Sequence, residues 1–474
     1  MNEDAKLITK TLAQGFIDGG MGAAFNYPGF FSHELFRLIG GSEIQLSEKH
    51  TYAEAFGSSL AGKRTLVSFK NVGLNVAADT FLHSLISGVG AGLVLLITDD
   101  IDVWGSQESQ DSRHFLDFYG GILLEPKNIQ DAYEIARGSF ALSEVLNLPV
   151  VIRITNQHLM MTEGAVERKE KLSIEKDVST KKENVIVHPY YWVSQYRSLQ
   201  DRMKTVASLE AYDEYISTST DAKRLVVVFG AAKAIEVLAK SDDQPYDVIR
   251  VGLLPLSRSV QSIITNPQYE EITVVEYGQA YVHEKVSALS SRPVQSIIPA
   301  ILASPKQFTE WVRDERLFEA LERVKNETDA FVFSDITRST VESRHVIDAS
   351  LSYGAAVSTG IGFAKSAQGE RTVISVVGDG SLNHEGLDVL NYAAEHNINM
   401  TVIIVDNGGL WCTGGQASTL SIEATIRSYG HDIATTDIDT ESVDSIENTL
   451  NIAVNSVGFS LVVAKATMGS FRGE

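Results

Sequence analysis

The sequence is poor in cysteine, in basic residues and in long apolar runs, and each shortage narrows what the chain can be. Its single cysteine, Cys412, excludes an internal disulfide framework and any iron–sulfur cluster ligated only by cysteines of these 474 residues. Lysine and arginine total 40 against 61 aspartates and glutamates, and the resulting net charge of −21 disfavours nucleic acid and anionic membranes as partners. An anionic ligand would therefore need a metal ion or backbone N–H groups at a helix N-terminus.

Long apolar stretches are also missing. The best run, residues 90–97, is far shorter than the roughly 20 residues that span a bilayer. The first dozen residues include acidic side chains and have neither a long apolar core nor a small-residue cleavage site, so we expect no signal peptide. These features predict a cytoplasmic protein.

Apolar, β-branched runs alternate with helical patterns along most of the chain, which is typical of open, mostly parallel α/β sheets with flanking helices. A chain of 474 residues with 44% apolar composition is long enough for about three domains of ordinary size. The sequence predicts α/β domains at residues 1–165, 223–305 and 306–474, with a charged or helical linker at 166–222. Ligands are expected at the carboxyl ends of the strands.

The most informative motif is Gly378-Asp379-Gly380, which follows a strand-like run and precedes a helical pattern. A second strand-like run, residues 400–405, leads into Asp406-Asn407-Gly408-Gly409. Parallel strands end at one edge of a sheet, so this spacing places Asp379 beside Asn407. Their side chains, a carbonyl near Gly409 and two phosphate oxygens would fill the octahedron that Mg²⁺ prefers. Each motif alone would be an ordinary strand exit, but their combination favours a site for Mg²⁺ and a diphosphate.

The two motifs together resemble the thiamine-diphosphate motif. In that motif an aspartate, an asparagine and the carbonyl two residues later hold the metal ion, and the matching positions here are Asp379, Asn407 and Gly409. The resemblance implies thiamine diphosphate and Mg²⁺ as cofactors. The residues implied to contact them at this end of the chain are Gly378, Asp379, Gly380, Ser381, Asn407 and Gly409.

Further stretches resemble the indolepyruvate ferredoxin oxidoreductase alpha subunit. They are Tyr27-Pro28-Gly29, residues 69–79 (Phe-Lys-Asn-Val-Gly-Leu-Asn-Val-Ala-Ala-Asp), residues 106–113 (Ser-Gln-Glu-Ser-Gln-Asp-Ser-Arg) and Val275-Glu276. Residues 413–416 (Thr-Gly-Gly-Gln) resemble the loop after the metal asparagine in the wider 2-oxoacid ferredoxin oxidoreductases. The matches cover nearly the whole chain in the same order of domains. They imply a pyrimidine-binding domain at 1–165, a middle domain like the C-terminal domain of transketolase at 223–305 and a diphosphate-binding domain at 306–474.

This family resemblance also implies residues of the first domain that serve the cofactor. Tyr27, Pro28, Gly29 and Asn75 are expected to contact it. Thiamine enzymes use a glutamate of the pyrimidine-binding domain to share a proton with the cofactor ring, and Glu48 matches that position. Without the resemblance, Glu48 would be a first-turn acid after an N-cap serine, and Glu54 is a weaker rival.

Two histidines are candidate proton donors, because a usual pKa of about 6.5 suits proton transfer near neutral pH. His384 matches a histidine of the resembled family, and His50 has a weaker claim from its nearness to Glu48. Each could equally make only local hydrogen bonds. Lys70 and Arg113 could bind a substrate carboxylate or be structural charges, and Cys412 could be a nucleophile or a small apolar side chain.

The chain departs from the resembled family in three places. Where the family has Thr-Pro-Ser-Ser near the substrate, this sequence has Phe30, Phe31, Ser32 and His33, which favours either an apolar substrate or simple packing. Residues 306–324 contain no Cys or His, where the family has a cysteine pair and a histidine, and the family's ferredoxin-like cysteine-rich segment has no counterpart here.

These departures favour non-oxidative chemistry on a 2-oxo acid, with aryl or apolar pyruvates as the first substrates to test. We expect decarboxylation to an aldehyde, or transfer of the resulting enamine to a second carbonyl by a carboligase. The alternatives are an alpha-type subunit of a 2-oxoacid oxidoreductase whose electron relay is on a partner chain, and a cofactor-binding scaffold without catalysis. The resemblance implies a homodimer or a dimer of dimers.

Overall fold

The computed structural model of the chain describes residues 5–29, 31–41, 45–101, 110–161, 163–172, 191–232, 245–298, 315–335, 343, 345–367, 369–410, 416–417, 421–430 and 432–466. The chain divides into two compact units, Met1–Pro305 and Lys306–Glu474. Phe30, Cys412, the first four residues of the 106–113 motif and residues 413–415 lie outside the described residues.

The first unit contains two sheets. The first sheet has six strands in the order β1-β2-β3-β5-β4-β9, parallel except for β9, which pairs antiparallel with β4. Its strands are β1 Ala23–Asn26, β2 Thr65–Lys70, β3 Leu93–Asp99, β4 Ile122–Leu124, β5 Val150–Thr155 and β9 Leu253–Leu254. All seven residues of β3 are buried, as expected for a central parallel strand covered on both faces.

Helices connect and cover these strands. They are α1 Ala5–Asp18, α2 Ser32–Leu38, α3 Glu48–Leu60, α4 Gly73–Val76, α5 Ala78–Ser87, α6 Ser112–Tyr119, α7 Ile129–Leu146 and α8 Asn156–Leu159. The longest, α7, begins at the N-cap Asn128, whose side chain accepts from the N–H of Asp131, and ends at Asn147 in the left-handed conformation. It is the crossover between the parallel strands β4 and β5.

The second sheet of this unit has five strands in the order β11-β10-β7-β8-β6, with β6 antiparallel to β8. Its strands are β6 Glu214–Ile216, β7 Arg224–Phe229, β8 Tyr246–Val251, β10 Glu271–Val275 and β11 Val294–Ile297. The accompanying helices are α9 Trp192–Val206, α10 Arg258–Ile264 and α11 Tyr281–Leu289. Helix α9 and strand β6 lie within the predicted linker, and β6 forms the edge of this sheet.

The second unit is built on a six-stranded, fully parallel sheet in the order β13-β12-β14-β15-β19-β18. Its strands are β12 Phe331–Ser334, β13 Ala349–Ser350, β14 Val373–Gly378, β15 Met400–Asp406, β18 Ala434–Asp437 and β19 Phe459–Lys465, beside a small antiparallel pair, β16 Gly409–Leu410 and β17 Gln416–Ala417. Its helices are α12 Glu315–Thr328, α13 Ala356–Ala367, α14 Asp379–Ser381, a π-helical stretch Leu382–Gly386, α15 Leu387–Glu395, α16 Ile422–Ser428 and α17 Val443–Val454.

Two apolar clusters fill the two faces of this third sheet. One packs α12 and α17 against one face of the strands, and the other packs α13, α15 and α16 against the opposite face. Alternate residues of β15, such as Ile403 and Ile404, belong to different clusters because successive strand side chains point to opposite faces. The sheet is therefore covered on both sides, and its strand ends are the places where polar groups can gather.

The predicted α/β class, with open and mostly parallel sheets, is confirmed. The strand-like run predicted at residues 400–405 forms as β15, Met400–Asp406. The exact domain boundaries stay predictions. Within the part of the chain that the structure describes, no helix combines the length and apolar character needed to cross a membrane.

Candidate functional site

Asp379 and Asn407 lie at the carboxyl ends of two neighbouring strands. Strands β14 and β15 are paired in parallel, with Gly378 opposite Val405. Asp379 follows β14 as the first residue of α14 and is only 2% exposed, while Asn407 directly follows β15. The structure thus places both side chains at one edge of the third sheet, where ligands of open α/β sheets bind.

Three glycines shape this edge. A Cβ atom added at Gly378 would have no heavy atom within 4 Å, so there is open space at the end of β14. A Cβ atom at Gly380 would overlap the Leu410 side chain and lie 2.9 Å from the Tyr353 hydroxyl. Gly408 has a φ of +71°, a backbone conformation that glycine adopts readily. The motif therefore has free space at Gly378 and close side-chain packing at Gly380.

The donors at this edge suit a hard divalent cation. A carboxylate of Asp379, an amide oxygen of Asn407 and a carbonyl of Gly409 are oxygen ligands of the kind that Mg²⁺ takes. The Asn407 Oδ1 atom accepts from the N–H of Gly409 at 3.4 Å, so the amide oxygen is turned towards the following loop. Among the described residues, no group of three or more His, Cys, Asp or Glu could hold a metal ion. A cation here would depend on amide, carbonyl and phosphate oxygens in addition to the Asp379 carboxylate.

Asp335 is a residue of this edge that the sequence interpretation missed. It follows β12, the neighbour of β14, and its side chain is fully buried. Its carboxylate accepts from the Ser381 hydroxyl and, at 2.8 Å, from the N–H of Ala356. Burial raises the pKa of Asp335, although these hydrogen bonds lower it in part. The rule that placed Asp379 at a strand end would also have found Asp335.

His384 lies in the π-helical stretch that follows α14. Such one-turn π segments are often found at functional sites. The residue is 4% exposed, and its ring packs edge-on against Tyr353 with centroids 5.2 Å apart. The structure thus brings His384 close to the predicted metal edge, on the same helical segment as Asp379.

Glu48 lies in the first unit, at the start of α3. The N-cap is Ser47, and Glu48 is 7% exposed. A Cβ atom added at Gly73 would lie 2.6 Å from the Glu48 Cγ atom and 2.8 Å from its Oε1 atom. Gly73 belongs to the 69–79 motif, so that motif contributes the glycine that makes room for the Glu48 side chain.

The other predicted residues of the first unit differ in burial. Tyr27, at the end of β1, is 6% exposed, and Pro28 and Gly29 beside it are buried. Asn75 is exposed, and its amide donates to the Gln110 side chain at 2.7 Å. His50 is exposed too, and its Nδ1 atom lies 2.8 Å from the Ser47 hydroxyl, a local contact of the helix cap. Contacts of these residues with a cofactor stay predictions.

Arg113 is buried and paired with two carboxylates, which favours the structural-charge interpretation over binding of a substrate carboxylate. Its side chain is fully buried and pairs with Asp111 at 2.5 Å and with Glu276 at 2.6 Å. It also donates to the carbonyl of Tyr277 at 2.9 Å. Glu276 follows β10 of the second sheet, so the Arg113 guanidinium joins the two sheets of the first unit. Lys70 is likewise paired, with Asp100 at 2.8 Å.

A second buried arginine extends this network. Arg153 pairs with Asp99 at 2.6 Å and with Glu125 at 2.5 Å, and lies 3.4 Å from Asp111. Burial raises the pKa of Asp99 despite the charge of Arg153. Burial also acts to raise the pKa of Asp111, but the two arginines hold it well below its usual range. The network is therefore a set of mutually compensating charges.

Phe31, in the loop after Gly29, is buried. Phe31 is 2% exposed and belongs to the apolar core of the first unit, so the packing interpretation is correct for it. Burial lowers the pKa of His33, and the nearby Arg37 charge lowers it further. His33 is thus kept in its neutral form at neutral pH.

Comparisons with known proteins agree with the geometry of the second unit. Residues 335–464 match the family model of the thiamine pyrophosphate enzyme C-terminal, TPP-binding domain. This range contains Asp379, Asn407 and Gly409, and it begins at Asp335. It supports thiamine diphosphate as the cofactor.

Relatives align along nearly the whole chain. The indolepyruvate oxidoreductase subunit IorA of Methanothermobacter thermautotrophicus is 25% identical over 97% of this chain and 86% of its own length. The same subunit of Pyrococcus abyssi is 23% identical over 98% of this chain and 85% of its own length. The solved structure of 2-oxoglutarate:ferredoxin oxidoreductase from Magnetococcus marinus aligns with a TM-score of 0.49, at 15% identity over 61% of each chain. The predicted resemblance is therefore confirmed: the chain contains a thiamine pyrophosphate enzyme C-terminal domain and is similar along nearly its full length to indolepyruvate oxidoreductase subunit IorA.

Proposed function

We propose that the chain is the thiamine-diphosphate- and Mg²⁺-binding, alpha-type subunit of a 2-oxoacid oxidoreductase that acts on an indolepyruvate-like substrate. The observation that carries this proposal is the alignment with IorA subunits over 97% of the chain, with the TPP-binding domain model at 335–464. This assignment replaces the non-oxidative reaction that the sequence favours as the leading hypothesis. The missing cysteines affect which group accepts the electrons. They do not affect the assignment of the fold or of the cofactor-binding domain.

In this proposal Asp379, Asn407 and the carbonyl of Gly409 hold Mg²⁺, which neutralises the diphosphate in a chain of net charge −21. The cofactor, when bound, supplies the electron sink that carbon–carbon bond cleavage in a 2-oxo acid requires. Glu48 shares a proton with the cofactor pyrimidine, a role that its burial and fixed position at the start of α3 support.

His384 is the proposed proton donor or acceptor nearest to the diphosphate end, and its packing on Tyr353 holds the ring in place. His50 has less support, because its ring is exposed and contacts the helix cap. Because Arg113 is buried and already paired with Asp111 and Glu276, the proposal gives it a structural role and assigns the substrate carboxylate to other donors.

Electron removal needs groups beyond these 474 residues. A four-cysteine cluster cannot be ligated by the single Cys412, so the proposal requires a partner subunit or another external electron acceptor. The relatives are themselves named as subunits. Pairing of pyrimidine- and diphosphate-binding domains across a homodimer, or a dimer of dimers, is the assembly that we propose to test by light scattering.

The deciding experiment incubates the purified chain with thiamine diphosphate, Mg²⁺ and a panel of aryl and aliphatic 2-oxo acids. Each reaction is run with and without coenzyme A and an artificial one-electron acceptor. We expect substrate consumption that depends on the acceptor, with an acyl thioester as product when coenzyme A is present. Glu48→Ala is expected to remove turnover, and an unchanged turnover in this variant would support a non-catalytic scaffold instead.

A non-oxidative decarboxylase or carboligase remains the second candidate, because the sequence lacks cysteine and histidine throughout residues 306–324. It predicts release of carbon dioxide with an aldehyde or acyloin product in the absence of any acceptor. Such a product, identified by mass spectrometry, would overturn the oxidoreductase proposal.

A further inference from the structure

We propose that Asp335 is a positioning residue for the diphosphate and Mg²⁺ site, acting by tying Ser381 to the turn at residues 353–356. This inference rests on the proposed function, because it concerns the same cofactor edge. Its evidence is independent of the motif, since Asp335 lies on a different strand from Asp379 and Asn407.

Asp335 lies at the carboxyl end of β12, and β12 pairs in parallel with β14, so both strands end at the same edge. The Asp335 side chain is completely buried. One carboxylate oxygen accepts from the Ser381 hydroxyl, and the other accepts from the N–H of Ala356 at 2.8 Å. One buried carboxylate thus holds both the last residue of α14 and the first residue of α13.

Ser381 is the last residue of the short helix α14 that Asp379 begins. Its hydroxyl also lies 3.2 Å from the carbonyl of Gly378, so it is fixed from two sides. Because α14 spans only three residues, a shift of Ser381 would move the Asp379 carboxylate with it. The direction of that carboxylate decides whether it can share a cation with Asn407.

The turn at residues 353–356 connects Asp335 to the other candidate groups. Tyr353 packs against the His384 ring, and a Cβ atom at Gly354 would lie 3.5 Å from the carbonyl of Ser381 and 3.9 Å from the His384 Nδ1 atom. Gly354 has a φ of +84°, so the turn needs a glycine there. Through its hydrogen bonds, Asp335 therefore holds in place both the turn that contacts His384 and the short helix that begins with Asp379.

The donors to Asp335 are a hydroxyl and backbone N–H groups, whereas the buried carboxylates of Glu276 and Asp99 in the first unit are paired with guanidinium groups. Hydrogen bonds to a carboxylate fix its direction without removing its negative charge. A residue of this kind acts on a metal site through the ligands that it orients, and loss of such an outer contact usually weakens metal binding about 10- to 100-fold.

The test replaces one carboxylate oxygen by an amide group in Asp335→Asn. The control is Asp348→Asn. The Asp348 carboxylate also accepts a hydrogen bond from a backbone N–H of this sheet, that of Val332 at 2.8 Å. It pairs with Lys325 near the opposite end of β12, away from the cofactor edge. Calorimetric titration measures thiamine diphosphate binding at fixed Mg²⁺, and thermal unfolding without ligand measures stability. We expect Asp335→Asn to bind the cofactor about 10- to 100-fold more weakly than the wild type, and Asp348→Asn to bind it with wild-type affinity.

A purely structural role makes a different prediction. It lowers the unfolding midpoint of Asp335→Asn while leaving the affinity unchanged, and that result overturns the inference. If Asp335→Asn does not fold, Ser381→Ala and Ser381→Thr decide the matter. Ser381→Ala removes the hydroxyl that Asp335 holds and is expected to weaken binding, while Ser381→Thr keeps a hydroxyl and is expected to restore most of it. Equal, wild-type affinity in both serine variants overturns the inference.

The same titration separates this inference from the proposed function. Wild-type protein that binds no thiamine diphosphate with Mg²⁺ contradicts the proposed function itself, and the inference falls with it. Wild-type binding with an unaffected Asp335→Asn variant contradicts the inference alone.

Discussion

In the first and third sheets, parallel strands end together at one edge, and each of these edges contains buried carboxylates. The two edges differ in the groups that hold those carboxylates. At the first sheet, the buried carboxylates of Asp99 and Asp111 are compensated by the guanidinium groups of Arg153 and Arg113. At the third sheet, the buried carboxylate of Asp335 is held by a hydroxyl and a backbone N–H. The ion pairs at the first edge join two sheets. At the third edge the donors described for the carboxylate are neutral, so the local charge is negative and suits a cation.

This contrast explains why a charged residue in a family motif need not be a ligand. Arg113 ends the 106–113 motif that carries the family resemblance, yet all of its charge is used inside the protein. Replacing one partner of a buried ion pair leaves the other charge uncompensated, which is costly. Selection for a fixed structure is therefore enough to explain an arginine at this position.

The largest expected effect is loss of stability at the first edge. Arg153→Ala leaves Asp99 and Glu125 without their buried counter-charge, and we expect it to destabilise the first unit by about 3–5 kcal/mol. Urea unfolding followed by circular dichroism measures the change. The matched control is Lys204→Ala, which breaks an exposed ion pair with Asp201 in the same unit and should leave the transition unchanged. Equal transitions for both variants would show that the buried network does not stabilise the fold.

The next effect is on cofactor binding at the third edge. Asp379→Ala removes the one carboxylate of the proposed Mg²⁺ site, and we expect thiamine diphosphate affinity to fall by at least about 100-fold with little change in folding. Titration calorimetry at fixed Mg²⁺ measures the affinity. Asp388→Ala, at an exposed position nine residues further along the same helical segment, is the control. Wild-type affinity in Asp379→Ala would contradict the metal assignment.

Two glycines near Glu48 differ in the space that an added methyl group would find. Gly73 has no room for it, and Gly57 has. Gly73→Ala would place a methyl group 2.6 Å from the Glu48 Cγ atom, and we expect a loss of about 1–3 kcal/mol in stability together with reduced turnover. Gly57 lies in the same helix as Glu48 and is exposed, with no atom within 4 Å of an added Cβ. Gly57→Ala should therefore raise stability by up to about 1 kcal/mol and leave turnover unchanged. Thermal unfolding and the oxo-acid assay measure both effects.

If Gly73→Ala had the turnover and stability of the wild type, the Glu48 carboxyl would have to tolerate displacement. Such a result would argue against a need for close positioning of the Glu48 carboxyl, while Glu48→Ala would still test whether the carboxyl itself is required.

The smallest effects are the pH dependences, which should have opposite signs at the two edges. The pKa of Asp111 is held below its usual 3.8, so its contribution to stability is complete above pH 3.8 and is lost as the pH falls through the lowered pKa. The pKa of Asp335 is raised above 3.8, so the folded chain keeps this proton longer than the unfolded chain does. Stability of the second unit should then decrease as the pH rises from 3.8 through the raised pKa.

Urea unfolding of Asp111→Asn and Asp335→Asn between about pH 3 and pH 6 measures these dependences. The stability difference between the wild type and Asp111→Asn should shrink on acidification. For Asp335→Asn the wild type should gain relative to the variant as the pH falls. Because burial raises the pKa values of Asp99 and Glu276, these two groups offset part of the Asp111 effect in the first unit. Slopes of the same sign for both variants would remove the proposed contrast.

The place of the cofactor edge could be predicted from local sequence. Strands β14 and β15 are continuous apolar runs, and turn residues follow each of them, so Asp379 and Asn407 had to lie at strand ends. The antiparallel additions β6 and β9 were not predictable, since each is a short strand that gains stability only by pairing with a distant segment. Local patterns carry no information about such partners.

The sequence by itself determined the α/β class, the family resemblance and the residues of the proposed metal edge, because these depend on short-range periodicity and on fixed spacings between neighbouring residues. Only the tertiary structure decided which charged residues are structural. It paired Arg113 with Glu276, 163 residues away, and it brought Asp335 to Ser381, 46 residues away. These long-range contacts decide whether a buried carboxylate is paired with an arginine or is only oriented by neutral hydrogen-bond donors. The physical reason is that the free-energy cost of burying a charge depends on the groups around it in space, and these are not its neighbours in sequence.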